Sequence, residues 1–168
     1  GFAERARSGI LFLDEISELS LHLQAKLLRL VEAREFHRVG GEQQVEFRGR
    51  IVCATNQDLP SMVAKGSFRR DLYYRINSAV VNVPPLRERL DDIPWLAEQF
   101  LQKPVDDRFP RGMSSLAWEE LLAHDWPGNV RELRNRIERA ASLTQTEWIM
   151  PADLFPDAIQ GGHPHIRS

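Results

Sequence analysis

The sequence predicts an α/β lobe followed by a smaller helical lobe. Short apolar runs, "ILFL" at 10–13 and "RIVC" at 50–53, end in polar residues and alternate with stretches of helical period. From Pro85 onward only helical patterns remain. The 168 residues are 42% hydrophobic and 27% charged, enough for one globular domain or two small lobes. The expected divisions are 1–84, 85–157 and a linker-like tail at 158–168.

Ile10 to Leu13 reads as a strand covered on both faces, because the run is apolar throughout. From Ser20, a plausible N-cap, "SLHLQAKLLRLVEAREF" sets Leu23, Leu27, Leu30 and Val31 on one helix face. "FHRVGGEQQVEF" predicts a hairpin about Gly40-Gly41. "RIVCATN" is a second buried strand with a polar end. "LPSMVAKGSFRRDLYYRIN" predicts two short helices broken near Gly66, and "SAVVNV" a third strand closed by Pro84-Pro85. In the helical lobe, "DDIPWLAEQFL" starts at Asp91 or Asp92 with Pro94 early, where its missing N–H does little harm. "KPVDDRFPRGM" is a loop, and "SSLAWEELLAHDW" a helix stopped at "WPG". "NVRELRNRIERAASL" follows with Asn129 as N-cap and Glu132 three residues on, a variant of the capping box. "MPADLF" begins one more short turn, and "QGGHPHIRS" is tail.

A net charge of −2 offers no global attraction to nucleic acid or acidic membrane. Cys53 is the single cysteine, which excludes an internal disulfide framework and suits a small buried side chain in a reducing, cytoplasmic setting. No run approaches the ~18 apolar residues of a membrane span. His22, His37, His124, His163 and His165 show no metal-ligand spacing. The chain starts at "GFAERARSG" without an initiator Met, which predicts a piece of something longer.

Chemistry concentrates at strand ends. Asp14 and Glu15 close the first strand, and the carboxyl ends of strands are where ligands bind in a doubly wound sheet. Strand alternation sends the two carboxylates in different directions, one able to face Mg²⁺ and the other a water. The competing reading is a helix cap that terminates the strand. Asn56 falls at the same edge, where an amide can orient a water or a γ-phosphate; Asn-Gln-Asp is also ordinary turn chemistry. "FRRDLYYR" puts Arg69 and Arg75 on nearly opposite sides of a short helix, suited to reaching outward rather than to one local carboxylate. A solvated basic face is the alternative. Arg131 sits in the first turn of the last long helix, where the dipole disfavours a cation unless a phosphate binds. Arg134, Arg136 and Arg139 on that helix suggest a DNA-reading face, but the interleaved Glu132 and Glu138 point to a solvated, ion-paired one.

In order, "GFAERARSGILFLDEI", "LQAKLLRLVEAREFHRVGG", "RIVCATNQDL", "GSFRRDLYYRIN", "VPPLRERLDDIP" and "WPGNVRELRN" resemble the AAA+ domain of bacterial enhancer-binding proteins. These are the ATPases that activate sigma-54 RNA polymerase. The resemblance runs from Gly1 to about Pro156, and so many segments in the family's order are far more specific than any one motif. It implies part of an AAA+ P-loop NTPase three-layer αβα lobe with a helical lid, binding ATP and Mg²⁺. By it Asp14 is the Walker B magnesium residue and Glu15 the activator of the attacking water. Asn56 is sensor I, Arg69 and Arg75 are trans-acting arginine fingers, and Arg131 is the sensor II arginine. The implied partners are further copies of the chain in a ring, a hexamer, and sigma-54 RNA polymerase.

The family's Walker A loop, its GAFTGA loop and its C-terminal helix-turn-helix have no counterpart in these residues, so DNA would be reached only through that last domain. Arg70 stands where an acidic residue is common and Gln57 where Arg is common. The family's Walker A strand would lie between "RIVCATN" and "SAVVNV", so its absence predicts a gap within the sheet and a sticky α/β lobe. The chain alone is expected to be inactive. A different AAA+ remodelling ATPase, or a non-enzymatic module regulating such a ring, are the alternative readings.

Overall fold

The structure, a computed structural model, describes residues 1–6, 8–38, 44–101, 110 and 112–156. It divides into two compact units, Gly1–Val81 and Asn82–Ser168. In the first, α1 (Phe2–Ala6) leads to β1 (Ile10–Leu13), a 3-10 turn (Ile16–Glu18) and α2 (Leu21–Ala33). The hairpin β2 (Glu35–His37) and β3 (Gln44–Glu46) follows, then β4 (Arg50–Cys53), α3 (Leu59–Ala64) and α4 (Arg70–Ile76). β1 and β4 pair in parallel with Leu11 opposite Ile51 and Leu13 opposite Cys53. The hairpin pairs Phe36 with Val45; its Gly40-Gly41 tip lies outside the described residues.

Ser20 caps α2 as expected, its Oγ accepting from the Leu23 amide at 3.4 Å. Leu27 and Leu30 join Leu11, Ile16, Phe47, Phe68 and Leu72 in the core of this unit. Leu23 does not, remaining 45% exposed, and the neighbouring Gln24 is buried instead. The backbone at Ser67 and Arg69 passes this turn of the helix and presents polar groups there, which an amide can satisfy and a leucine cannot. α3 and α4 break at Gly66, whose φ of +74° is a conformation that residues with a Cβ rarely adopt.

Two expectations about strands also fail in this unit. β1 is not covered on both faces: Leu11 is buried, while Ile10, Phe12 and, on β4, Val52 are exposed. The helices of the unit cover only the Leu11 side. "SAVVNV" is not a strand either, because no segment among the described residues offers it a ladder partner. Val81 there is 86% exposed.

The second unit begins with a 3-10 turn (Leu86–Glu88) and continues through α5 (Asp92–Leu101), β5 (Gly112–Met113), α6 (Ser115–Ala123), α7 (Asn129–Leu143), β6 (Trp148–Ile149) and α8 (Pro151–Leu154). It is helical with one addition to expectation, the two-residue parallel pair of β5 and β6. Most of the 103–113 loop, and the tail with His163 and His165, lie outside the described residues. Leu86, Ile93, Leu121, Trp126, Leu133, Ile137 and Ile149 are each wholly buried in one core. Burying such a side chain contributes about 1.5–3 kcal/mol.

Candidate functional site

The parallel register brings the ends of β1 and β4 to one edge, so Asp14-Glu15 and Thr55-Asn56 leave the sheet side by side. Hydrogen bonds tie the two loops together. The Ala54 amide donates to the Leu13 carbonyl at 2.8 Å, and the Ile16 amide to the Ala54 carbonyl at 3.1 Å. Thr55 Oγ1 donates to Oγ of the buried Ser17 at 3.0 Å and accepts from the Gln57 amide at 3.1 Å. Sequence reasoning missed Ser17 and Thr55. Both are small hydroxyls of ordinary turn composition, and only the pairing of two distant segments reveals their contact.

Asp14 and Glu15 are exposed at this edge. Glu15 has φ 51° and ψ 50°, the left-handed region, although it is not glycine. It precedes the 3-10 turn, yet its side chain makes no capping hydrogen bond. A local turn does not explain a strained residue whose carboxylate has no partner among the described residues, and strain of about 1–3 kcal/mol tends to be kept at functional positions. Asp14 Oδ1 accepts from the Glu15 amide at 3.0 Å, a local bond that leaves its other oxygen open. No group of three or more His, Cys, Asp or Glu among the described residues could form a protein cage for a metal. One open carboxylate instead suits Mg²⁺, which takes most of its ligands from phosphates and waters. Asn56 is exposed and makes no hydrogen bond among the described residues. Cys53, half-buried on β4, has its thiol pushed up by burial, which suits a packing role.

Arg69 and Arg75 bracket α4. Arg69 precedes its first residue and Arg75 lies in its last turn. Arg75 is exposed and forms no ion pair among the described residues. The two arginines share no carboxylate among the described residues, but Arg69 has a local one of its own. Its Nε and Nη2 donate to the two oxygens of Asp71, at 3.0 and 2.6 Å. The hydrogen bond from Arg69 holds Asp71 below its ordinary pKa, and Asp71 in turn raises that of Arg69. Arg69, Arg70, Asp71 and Tyr74 line an open cleft of about 450 Å³.

In the second unit Arg131 is exposed on the first turn of α7, without an ion pair among the described residues. The approach to it is unusual. Trp126 and Asn129 both have positive φ, 51° and 57°. Asn129 does not cap α7: its Oδ1 accepts from the Leu86 amide at 2.7 Å. Glu132 reaches back to the Gly128 amide at 2.9 Å. A Cβ on Gly128 would lie 2.7 Å from that of Glu132, so only glycine fits. Glu132 also accepts from Arg136 at 2.8 Å and pairs with His124 at 3.0 Å, while Arg134 pairs with Glu138 at 2.7 Å. The basic residues Arg134 and Arg136 are thus matched by acids, as the interleaving predicts.

Residues 1–82 match the family model of the sigma-54 interaction domain, and residues 87–167 that of the AAA+ ATPase lid domain. The chain is 50% identical over 151 residues to the Nif-specific regulatory protein of Herbaspirillum seropedicae, covering 89% of this chain and 28% of the relative. It is 48% identical over 162 residues to the regulatory protein AtoC of Escherichia coli K12, covering 95% and 35%. Among solved structures, NtrX from Brucella abortus in complex with ATP superposes with a TM-score of 0.85 at 38% identity, covering 99% of this chain and 39% of that one. The complex of the same protein with ADP gives 0.84. The chain therefore spans about a third of the length of the relatives it matches. No helix among the described residues is long and apolar enough to cross a membrane. With its α/β unit matching one family model and its helical unit the other, the chain belongs to the sigma-54 interaction family of AAA+ ATPase domains.

Proposed function

We propose that this chain is part of a ring-forming ATPase, a hexamer, that couples ATP hydrolysis to remodelling of sigma-54 RNA polymerase. The observation that carries this reading is the edge where β1 and β4 end, with Asp14, a Glu15 of strained backbone and Asn56 side by side, the Glu15 carboxylate and the Asn56 amide having no partner among the described residues. The solution of NtrX with ATP and with ADP supports a nucleotide as the ligand. Bound Mg²⁺, held through Asp14, would neutralise phosphate charge. Glu15 polarises the attacking water, and Asn56 orients that water or the γ-phosphate. A neighbouring copy supplies Arg69 and Arg75 to stabilise the transition-state charge. Arg131 is assigned the sensor II role.

The test is Glu15→Gln in the complete protein. The amide is nearly isosteric but a poor base, so ATP binding is retained and hydrolysis falls by about 10²–10⁴-fold. Turnover near the normal rate would remove Glu15 from this role. The 168 residues contain no G-x-x-x-x-G-K-[ST] loop, whose amides and Lys make most β- and γ-phosphate contacts in such sites. Calorimetric titration of this chain alone should therefore show no appreciable ATP binding, and micromolar affinity dependent on Asp14 would contradict that.

A further inference from the structure

Gln24 is wholly buried on α2, and the reading above leaves it without a role. Its Nε2 donates to the carbonyls of Leu19 at 2.8 Å and Ser67 at 3.1 Å. Its Oε1 accepts from the Arg69 amide at 2.8 Å. Leu19 ends the turn that follows Glu15, while Ser67 and Arg69 flank the buried Phe68. One amide thus fastens the arginine segment both to α2 and to the loop leaving the carboxylates. Leu27, three residues further along α2, and Phe68, between Ser67 and Arg69, belong to the core of this unit. A leucine would fill this volume as well, but only hydrogen bonds fix the direction in which Arg69 leaves the core. The Asp71 pair then orients the guanidinium from outside.

We propose that Gln24 is a positioning residue that sets the backbone at Arg69, and through it the arginine that one subunit presents to the next. This rests on the reading of Arg69 as a trans-acting finger. The conformation is fixed from within the subunit, so the finger is preorganised before the neighbour's nucleotide arrives.

Turnover by mixed rings of the full-length protein tests this. Gln24→Leu alone should hydrolyse ATP about 10²-fold more slowly, the loss expected when a catalytic group is displaced by about 1 Å. Mixing Arg69→Ala with Glu15→Gln subunits should restore activity where an intact site meets an intact finger. Gln24→Leu should behave as a finger mutant: restored by Glu15→Gln, not by Arg69→Ala. A purely structural role would not depend on which partner is supplied. If the Arg69→Ala mixture recovers and the Gln24→Leu mixture with Glu15→Gln does not, the Gln24 proposal fails and the trans reading stands. No recovery in the Arg69→Ala mixture overturns both. Normal turnover by Gln24→Leu, or its rescue by Arg69→Ala, also overturns the proposal. Gln24→Met, close to glutamine in length and lacking both the acceptor and the donors, replaces Gln24→Leu in the same mixtures if that variant forms no rings.

Discussion

The two units differ in where their polar side chains find partners. The helical unit closes its core on itself, with Trp126, Leu133 and Ile137 wholly buried. Its polar groups Asn129, Glu132 and Arg136 are used in its own hydrogen bonds. The α/β unit leaves Ile10, Phe12 and Val52 exposed on one sheet face, and Glu15, Asn56 and Arg75 exposed. Groups satisfied internally stabilise a fold; groups held rigidly without internal partners are available to a ligand or a neighbour. In the helical unit the exposed Arg131 is the exception, with no ion pair among the described residues.

The largest break in that comparison comes from the closed core. Trp126→Ala should cost about 3–5 kcal/mol, because it empties a filled site and leaves the Leu121 carbonyl without the ring N–H that donates to it at 2.9 Å. Urea unfolding of the 168-residue chain measures it, and a loss under 1 kcal/mol (roughly the size of an ordinary surface change) would show that the core is not closed. Asn129→Ala follows, at about 1–3 kcal/mol, since the Leu86 amide is left without its acceptor. A thermal melt compared with Asn129→Asp, which keeps an oxygen there, separates this bond from loss of the left-handed backbone preference.

The pH dependence is smaller in scale. Burial raises the pKa of Glu132, but the Gly128 amide, His124 and Arg136 outweigh it and hold the carboxyl below its ordinary value. A folded pKa below the unfolded one gives stability that is present above the unfolded value and lost as pH falls through the folded one. The helical unit should therefore weaken below about pH 4.5, and Glu132→Gln should flatten that acid limb in pH-dependent melts. Smallest of all is Val81→Ala, expected within about 0.5 kcal/mol because the side chain packs on nothing the described residues provide. A larger effect would mean that this segment is not the open surface described.

Much of this was legible in the sequence for a physical reason: strand ends, caps and helix periods are local signals. Ile10–Leu13 and Arg50–Cys53 are strands, Ser20 is a cap, and Asp14, Glu15 and Asn56 reach one edge. What escaped depends on partners far along the chain. Gln24 looks like the polar side of a leucine stripe until Ser67 and Arg69 pack against it. Asn129 carries every local mark of a cap, yet the Leu86 amide claims its oxygen. Apolarity predicted that β1 is covered on both faces, but apolarity cannot say whether a covering element is at hand.

The central claim is that the exposed edge belongs to a hydrolysis site to which a neighbouring copy contributes an arginine. Mixing Glu15→Gln and Arg75→Ala subunits of the complete protein tests it most directly, because each should be inactive alone for a different side of the interface. Loss of a finger costs about 10³-fold or more in rate. The account predicts that mixed rings regain ATP turnover well above either variant, in proportion to interfaces pairing an intact site with an intact arginine. Well-formed mixed rings with no gain over the separate variants would contradict it.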